Sequence, residues 1–432
     1  MLNDEATAGL LLGRRIVVAV SGGIAAYKSC TLVRLLIRAG ALVRVAMTRH
    51  ATEFVTPLTF QTLTNAPVVV DLFNAPSCVD QSSEHIDLSR WTDLVIVAPA
   101  TANIIAKAAT GLADDFVSTL LLATTCPVVY APAMNTAMWL NPATVANVET
   151  LDQRGAVVLP TGTGALADKQ EFGQGRLLEP EELLVHVIEN LPPSGPLVGR
   201  KMVVTAGPTW EPLDPVRMLT NRSSGKMGFA VATAAVAQGM DVTLIAGPNS
   251  LTPPPRADLI AVESAQEMHQ AVEAEFPNCD VLVMSAAVAD WKPTSVSDEK
   301  IKKDQGPPVV EMVPNPDILL EIGKLRTSGQ ILVGFAMETS DEEDNARKKL
   351  RSKNLDILVL NRLSDPDAGF AVDTNVVTIF AADGAVTKLP TLSKRDVGDR
   401  LVALILSELE GRDDRTDAEG GNRIHRPADS SG

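Results

Sequence analysis

Arg15-Ile16-Val17-Val18-Ala19-Val20-Ser21-Gly22-Gly23 opens the first half of the chain, and Lys201-Met202-Val203-Val204-Thr205-Ala206-Gly207 opens the second. Each is a short β-branched run that meets a glycine-bearing turn. After Gly23, Cys30, Val33, Leu36 and Ile37 fall at the three-and-four spacing of a helix, which ends at Gly40. A second apolar run follows from Ala41 to Met47. In the other half a long loop follows Ala206-Gly207-Pro208-Thr209. A helix is then expected from about Gly225 to Gly239 and a strand from Asp241 to Ala246. Strand, turn, helix, strand is one βαβ unit. Its restart near residue 201 predicts an α/β protein with two doubly wound, Rossmann-like domains.

The 432 residues allow two or three domains, each with its own core. A charge of −15 without a strongly basic segment argues against nucleic-acid binding. No apolar run approaches the ~20 residues of a membrane-spanning helix, and Met1-Leu2-Asn3-Asp4-Glu5 lacks the basic start of a secretory signal. The four cysteines form neither a CxxC pair nor a disulfide framework. A cytoplasmic protein acting on small molecules is the class that remains. Pro192-Pro193-Ser194-Gly195-Pro196 continues neither helix nor strand, so a linker is set at 191–197 between domains at 14–190 and 198–410. Residues 1–13 are expected as an unfixed leader and the polar 411–432 as a disordered tail. Further strands are expected at 94–98, 128–131, 156–159, 281–285, 331–335 and 357–360. A hairpin is expected where Val376–Phe380 and Ala385–Leu389 flank Ala381-Ala382-Asp383-Gly384.

Ser21-Gly22-Gly23 presents backbone N–H groups and a helix start to an anion, although many such turns only connect elements. The GxGxxG fingerprint of dinucleotide folds is absent. Three more segments fall at predicted strand ends, where open α/β sheets take ligands. They are Ala98–Asn103, Gly111–Asp115 with Ser118 and Thr119, and Pro132-Ala133-Met134-Asn135-Thr136-Ala137-Met138-Trp139. His85 stands in a predicted loop, Glu84-His85-Ile86-Asp87-Leu88. By itself it reads as an ordinary surface histidine, and Met134, Met138 and Trp139 read as core.

Together these residues resemble the flavin-dependent cysteine decarboxylase family. Pro132–Trp139 fits its P-x-M-N-x-x-M-W motif, His85 stands in its H-I-x-L segment, and the likeness runs from about residue 14 to 190. The resemblance implies a flavodoxin-like flavoprotein with FMN, held by Ser21, Gly22, Gly23, Thr48, Pro99, Ala100, Thr101, Ser118 and Met134. It also implies an active-site His85, an Asn135 that holds the substrate carboxylate, and trimers. Losing CO2 from a cysteine amide leaves electrons with no sink. Oxidation of the thiol to a thioaldehyde by FMN would supply one. The family's coenzyme A branch carries Ala-Cys-Gly-Asp in a flap before Gly-x-Gly-Arg. Here the segment reads Ala165-Leu166-Ala167-Asp168-Lys169, so Asp168 or Lys169 replaces the proton-donating cysteine.

In the second half, Ala206–Arg217 runs into Asn221-Arg222-Ser223-Ser224-Gly225-Lys226-Met227-Gly228. Ser-Ser-Gly at a helix start is a cap and an anion cradle. The residue after Lys226 is Met227, which breaks the G-x-x-x-x-G-K-[ST] pattern and disfavours a P-loop. Ser285-Ala286-Ala287-Val288-Ala289-Asp290 follows a strand, and Glu299-Lys300-Ile301-Lys302-Lys303 is a lysine cluster suited to a triphosphate. Asn315-Pro316-Asp317-Ile318, Gly334–Thr339, Lys349 and Lys353 complete the set.

These words, in this order over about 198–406, resemble the phosphopantothenate–cysteine ligase domain. Fused behind a flavin domain, they resemble the bifunctional coenzyme A biosynthesis family. The resemblance implies that CTP activates the carboxylate of 4′-phosphopantothenate as an acyl-cytidylate, which cysteine then converts to an amide. Lys300 is implied in cytidylate formation and Asn221 in its conversion. Arg217, Ala286, Ala287 and Asp290 are implied in holding pantothenate or nucleotide. Pro316, Asp317, Ile318, Leu319, Phe335, Lys349 and Lys353 are implied in holding CTP. Mg2+ is expected mainly through the CTP phosphates, and a dimeric ligase behind a trimeric first domain implies a larger assembly, up to a dodecamer. An alternative keeps the ligase but makes the first half an FMN-binding regulatory or weakly active domain. A prenyl-transferring flavoprotein is disfavoured by Pro132–Trp139, and a nicotinamide dehydrogenase by its missing glycines.

Overall fold

The computed structural model describes residues 7–72, 84–165, 172–302, 309–338, 342–362 and 373–421. The chain divides into two units, 1–192 and 193–432.

The first unit is a six-stranded parallel sheet. It begins with β1 (Arg15–Val20), α1 (Ala26–Arg38), β2 (Leu42–Met47), α2 (Pro57–Thr64) and β3 (Val68–Val69). It continues with α3 (Glu84–Trp91), β4 (Leu94–Ala100), α4 (Ala102–Thr110), α5 (Phe116–Ala123) and β5 (Val128–Pro132). Then come α6 (Thr136–Trp139), α7 (Pro142–Gln153), β6 (Val157–Val158), a hairpin of Gly162–Ala165 with Phe172–Arg176, and α8 (Pro180–Asn190). The strand order is β3-β2-β1-β4-β5-β6. β1 is buried from Ile16 to Val20, and its period of two splits the core. Ile16, Val18 and Val20 pack with Leu32, Leu36, Leu184 and Val187 on one face. Val17 and Ala19 pack with Ile104, Ile105, Val117 and Leu120 on the other. A β-branched run without alternation is therefore what a strand covered on both faces requires.

The second unit repeats the plan with β7 (Lys201–Ala206), α9 (Lys226–Ala237), β8 (Asp241–Ala246), β9 (Ala257–Ala261), α10 (Ala265–Glu275) and β10 (Val281–Met284). There follow α11 (Ile318–Leu325), β11 (Ile331–Glu338), α12 (Glu342–Ser352), β12 (Ile357–Arg362), β13 (Val377–Ala381), β14 (Val386–Lys388) and α13 (Lys394–Gly421). Its order is β9-β8-β7-β10-β11-β12-β13-β14, with the expected hairpin β13–β14 antiparallel at the edge. α9 lies close on the sheet and on α13. A Cβ on Gly228 would come within 2.6 Å of Ala206, and one on Gly398 within 2.9 Å of the Ala230 carbonyl.

Four expectations need correction. The leader is packed from Thr7 onward. Leu11 is 1% exposed in the first core, and the Leu11 and Gly13 amides donate to the Ala39 and Gly40 carbonyls at 2.9 and 3.1 Å. The linker is shorter than 191–197, because Leu191 belongs to the first core and Leu197 is buried, its amide donating to the Gln238 carbonyl at 3.1 Å. His85 stands in the first turn of helix α3, not in a loop. The helix that begins at Lys394 runs through residues 411–421 instead of giving way to a disordered tail. Residues 422–432 lie outside the described set.

Charge pairing explains that continuation. Arg412 donates to the Ser328 and Gln330 carbonyls at 3.1 and 2.7 Å and ion-pairs with Asp356, whose second oxygen accepts from the Leu332 amide at 2.8 Å. Arg326 pairs with the same carboxylate at 2.7 Å, and Asp413 pairs with Arg200. None of the helices among the described residues is long and apolar enough to cross a membrane. Arg412→Ala is expected to lower the unfolding free energy of the second unit by about 1–3 kcal/mol, since it strips charge-assisted bonds from a largely buried carboxylate. Denaturant unfolding followed by near-ultraviolet dichroism checks this; an unchanged midpoint would make the helix extension ornamental.

Candidate functional site

Each sheet reverses its winding beside its first strand, between β1 and β4 and between β7 and β10. At such a switch the connecting loops diverge and leave a crevice at the carboxyl ends of the strands.

In the first unit the crevice collects most of the residues expected to hold the flavin. Ser21 follows β1, and its hydroxyl donates to the Pro99 carbonyl at 2.7 Å and reaches the Thr101 hydroxyl at 3.1 Å. The Thr101 amide donates back to Ser21 at 3.1 Å, which ties the end of β1 to the end of β4, where Pro99 and Ala100 lie. Gly22 is required by space, because a Cβ there would fall 2.5 Å from that of His50; Gly23 faces Thr101 at ordinary contact distance. Thr48 follows β2, its amide bound to the Val20 carbonyl at 3.0 Å. Its buried hydroxyl has no partner among the described residues, and a buried donor of this kind needs a water or a ligand to satisfy it.

Asn135 caps the short helix α6, its Oδ1 accepting from the Ala137 amide at 2.7 Å. The neighbouring hairpin clamps this turn. The Met134 amide donates to the Gly175 carbonyl at 2.9 Å, and Thr136 Oγ1 donates to the Gln174 carbonyl at 2.6 Å. Gly175 has φ 119°, and a Cβ there would overlap the Met134 carbonyl at 2.2 Å. Asp168 and Lys169, expected in the flap before Gly173-Gln174-Gly175-Arg176, lie outside the described residues. His85, half-buried, opens α3, whose start lies on the carboxyl side of the sheet because the helix returns to feed β4. Ser118 has a structural occupation: with Asp115 it forms a capping box on α5, its amide donating to Asp115 Oδ1 at 2.8 Å. Lys107 grips the Asp114 and Asp115 carboxylates at 2.6 Å each.

The second unit holds a cavity of about 410 Å³. Its walls include Ala286, Ala287, Asp290, Pro316, Asp317, Ile318, Leu319, Phe335, Lys349 and Lys353, so ten of the residues expected to bind substrates meet in one place. Small side chains matter here because backbone lines the space. Ser285 Oγ donates to the Thr205 carbonyl at 2.6 Å, and the Ala287 amide to the Gly207 carbonyl at 2.9 Å, locking the loop after β10 to the end of β7. Asp317 caps α11 through the Leu320 amide and pairs with Lys353 at 2.8 Å.

Asn221, Arg217 and Lys300 stand outside the lining; Asn221 is bonded to it, and the Arg217 and Lys300 segments are bonded to each other. Asn221 Nδ2 donates to the Ala287 and Val288 carbonyls at 3.0 and 3.2 Å. Asp214 is the other tether. Its buried carboxylate accepts from the Val216 and Arg217 amides at 2.9 Å, from the Arg217 guanidinium, and from the Ile301 amide at 3.1 Å. Arg217 in turn donates to the Ile301 carbonyl at 2.9 Å. The exposed Lys300 is thereby fixed at its neighbour. The Arg217 guanidinium holds the Asp214 carboxyl well below the usual carboxylate range.

Sequence reading missed Asn361, Asn375 and Lys394, which also line the cavity, and gave Lys226 no place in it. Asn375 and Lys394 are buried, 2% and 7% exposed, and each sits beside a strand or helix start in an unremarkable polar stretch. No spacing signal marks them. Among the described residues no group of three His, Cys, Asp or Glu side chains is placed to hold a metal ion.

Comparison with known proteins covers both units. The Flavoprotein family profile matches residues 6–191, and the profile of the DNA/pantothenate metabolism flavoprotein C-terminal domain matches residues 197–409. The coenzyme A biosynthesis bifunctional protein CoaBC of Bacillus subtilis is 48% identical over 395 residues, 90% of this chain and 95% of its own length. Its counterpart in Mycobacterium tuberculosis H37Rv is 46% identical over 415 residues, 92% of this chain and 97% of that protein. A crystal structure of the C-terminal domain of a CoaBC protein is 41% identical, covers 50% of this chain and 100% of its own, and has a TM-score of 0.44. Matches that run through both halves of bifunctional relatives do not favour the reading of the first half as a mere scaffold. By sequence identity sustained along nearly its whole length, the chain belongs to the family of bifunctional coenzyme A biosynthesis proteins.

Proposed function

We propose that the second unit joins cysteine to 4′-phosphopantothenate at the expense of CTP and that the first unit decarboxylates the product to 4′-phosphopantetheine, the two activities of a bifunctional coenzyme A biosynthesis enzyme. The observation that carries the ligase reading is the cavity at the β7–β10 switch, which gathers ten of the expected substrate residues. A nucleotide there has Pro316–Leu319 and Phe335 along its length, with Lys349 and Lys353 for its charge. Mg2+ enters mainly with the CTP phosphates, whose oxygens it prefers. Lys300 neutralises charge that develops on the α-phosphate as the carboxylate attacks. Asn221 holds the acyl-cytidylate against the Ala286–Ala287 wall while the cysteine amine displaces CMP. Arg217, already shared between Asp214 and Ile301, positions the acid substrate and the Lys300 segment together.

In the first unit the orphaned Thr48 hydroxyl and the side-chain-free Gly22 fit an FMN phosphate and its hydroxylated chain, with Ser21, Gly23, Pro99, Ala100, Thr101 and Met134 around it. Bound there, FMN supplies reversible two-electron chemistry at the cysteine thiol. Asn135, rigid on its clamped cap, orients the substrate carboxylate, and His85 assists at the thiol. Asp168 or Lys169 delivers the final proton. Cytoplasmic localisation follows from these soluble substrates. The exposed Tyr27, Leu58, Met138 and Leu140 support self-association of the first unit, in keeping with a trimeric first domain, a dimeric second and a dodecameric whole.

Incubation with phosphopantothenate, cysteine, CTP and Mg2+, read by mass, should give phosphopantetheine; accumulation of the cysteine adduct would remove the decarboxylase step. Lys300→Gln is expected to cut CTP-dependent pyrophosphate release at least about 100-fold while flavin absorbance is retained; wild-type release would strip Lys300 of its role. Asn135→Asp should abolish CO2 loss from supplied phosphopantothenoylcysteine and spare ligation, since a second carboxylate repels the first.

Asp214 generates a pH statement as well. With its folded value depressed, the tether's stabilisation is complete above the ordinary carboxylate range and disappears only as pH falls through the depressed value. Asp214→Asn removes it at every pH and should lower ligase kcat about 10–100-fold with decarboxylation unchanged. Equal ligase rates across pH 6–9 for variant and wild type would count against the tether.

A further inference from the structure

The cavity of the second unit has an end that none of the roles above uses. Lys226 opens α9, Lys394 opens α13, and both line the cavity with Asn375 and Asn361. A lysine at the first residue of a helix faces the positive end of the macrodipole, where a cation is disfavoured. Lys394 is nevertheless buried there, and burial followed by the nearby charge of Lys226 holds its ammonium below the usual lysine range. Asp373 pairs with Lys226 from an exposed position and its charge also acts on Lys394, and both lysines and the amino end of α9 border the one cavity. Such a concentration of positive potential in a cleft attracts an anion.

A second, independent observation points to the rest of the ligand. Asn375 is 2% exposed; its Nδ2 lies 3.9 Å from the Met227 sulfur, and its Oδ1 is buried with no partner among the described residues. Asn361 Oδ1 is likewise buried, with no partner among the described residues. Phosphate oxygens only accept, so these amide oxygens call for a donor elsewhere on the ligand, for which a hydroxyl serves.

We propose that Lys226, Lys394 and Asn375 form a subsite for a phosphate whose carrier also presents a hydroxyl, the lysines taking the phosphate and Asn375 Oδ1 accepting from the hydroxyl. The inference rests on the ligase reading, in which both phosphorylated substrates have this chemistry: CTP through its ribose, phosphopantothenate through its pantoyl hydroxyl.

Isothermal titration of the full-length protein with Mg–CTP and, separately, with phosphopantothenate tests it. Lys394→Met and Asn375→Ala should each weaken the same one of the two ligands at least about tenfold and leave the other within about twofold, with Lys394→Arg restoring most of the loss. The ligand affected identifies the source of the phosphate. Unchanged affinity for both ligands, or equal loss for both, overturns the subsite. Thermal melting controls for folding, and should Lys394→Met melt early, Asn375→Ala and the partly exposed Lys226→Met carry the test. Wild-type protein that binds neither ligand would defeat the ligase reading itself.

Discussion

Both halves depend on one constraint: a parallel strand can be followed by its neighbour only through a crossover that returns the chain to the same edge. Because β1 and β7 sit inside their sheets, the crossovers must wind outward in opposite directions from them. The loops that leave the carboxyl ends of β1 and β4, and of β7 and β10, diverge there and border a crevice. Glycine and alanine are confined there by space rather than by flexibility. A side chain on Gly22 would meet His50, and one on Gly247 would fall 1.8 Å from the Pro208 carbonyl. The two sites thus occupy equivalent positions in two copies of one plan, while their linings differ in chemistry.

That difference follows from what each crevice is asked to hold. The first is lined by hydroxyls and backbone, with Ser21, Thr48 and Thr101 in a compact group and no strong charge among them. The second carries Lys226, Lys349, Lys353 and Lys394 on its walls against Asp290 and Asp317. In a chain of net charge −15, four lysines on the walls of one cavity set it apart from the acidic background. Reach is supplied by tethers: Asn221 binds the backbone of the cavity wall, and Asp214 fixes the Lys300 segment through its neighbour Ile301.

Local signals were legible where the physics is local. Apolar runs marked the strands to within a few residues, with β11 and β12 extending beyond the expected 331–335 and 357–360. The hairpin at Ala381–Gly384 was readable because Asp383 accepts from the Ala385 amide and Gly384 takes φ 96°. Position 85 was misread because Glu84–Trp91 is a short helix of mixed polarity with little periodicity to detect. The polar stretch after 410 was misread because Arg412 is ordered by Asp356, fifty-six residues earlier in the chain. Ser118 also caps α5 through local bonds to Asp115, an occupation that the sequence reading did not assign to it.

The sequence by itself determined the two α/β starts, the motifs at their strand ends and the family to which they lead, because β-branched runs, glycine turns and short motifs act over a few residues. Only the tertiary structure decided that the leader and the last helix are packed, that Asp214 controls the Lys300 segment, and that Lys394 and Asn375 share a cavity with Lys226. Those relations join residues scores of positions apart, and burial and charge pairing across such distances leave no periodicity in the chain to be read.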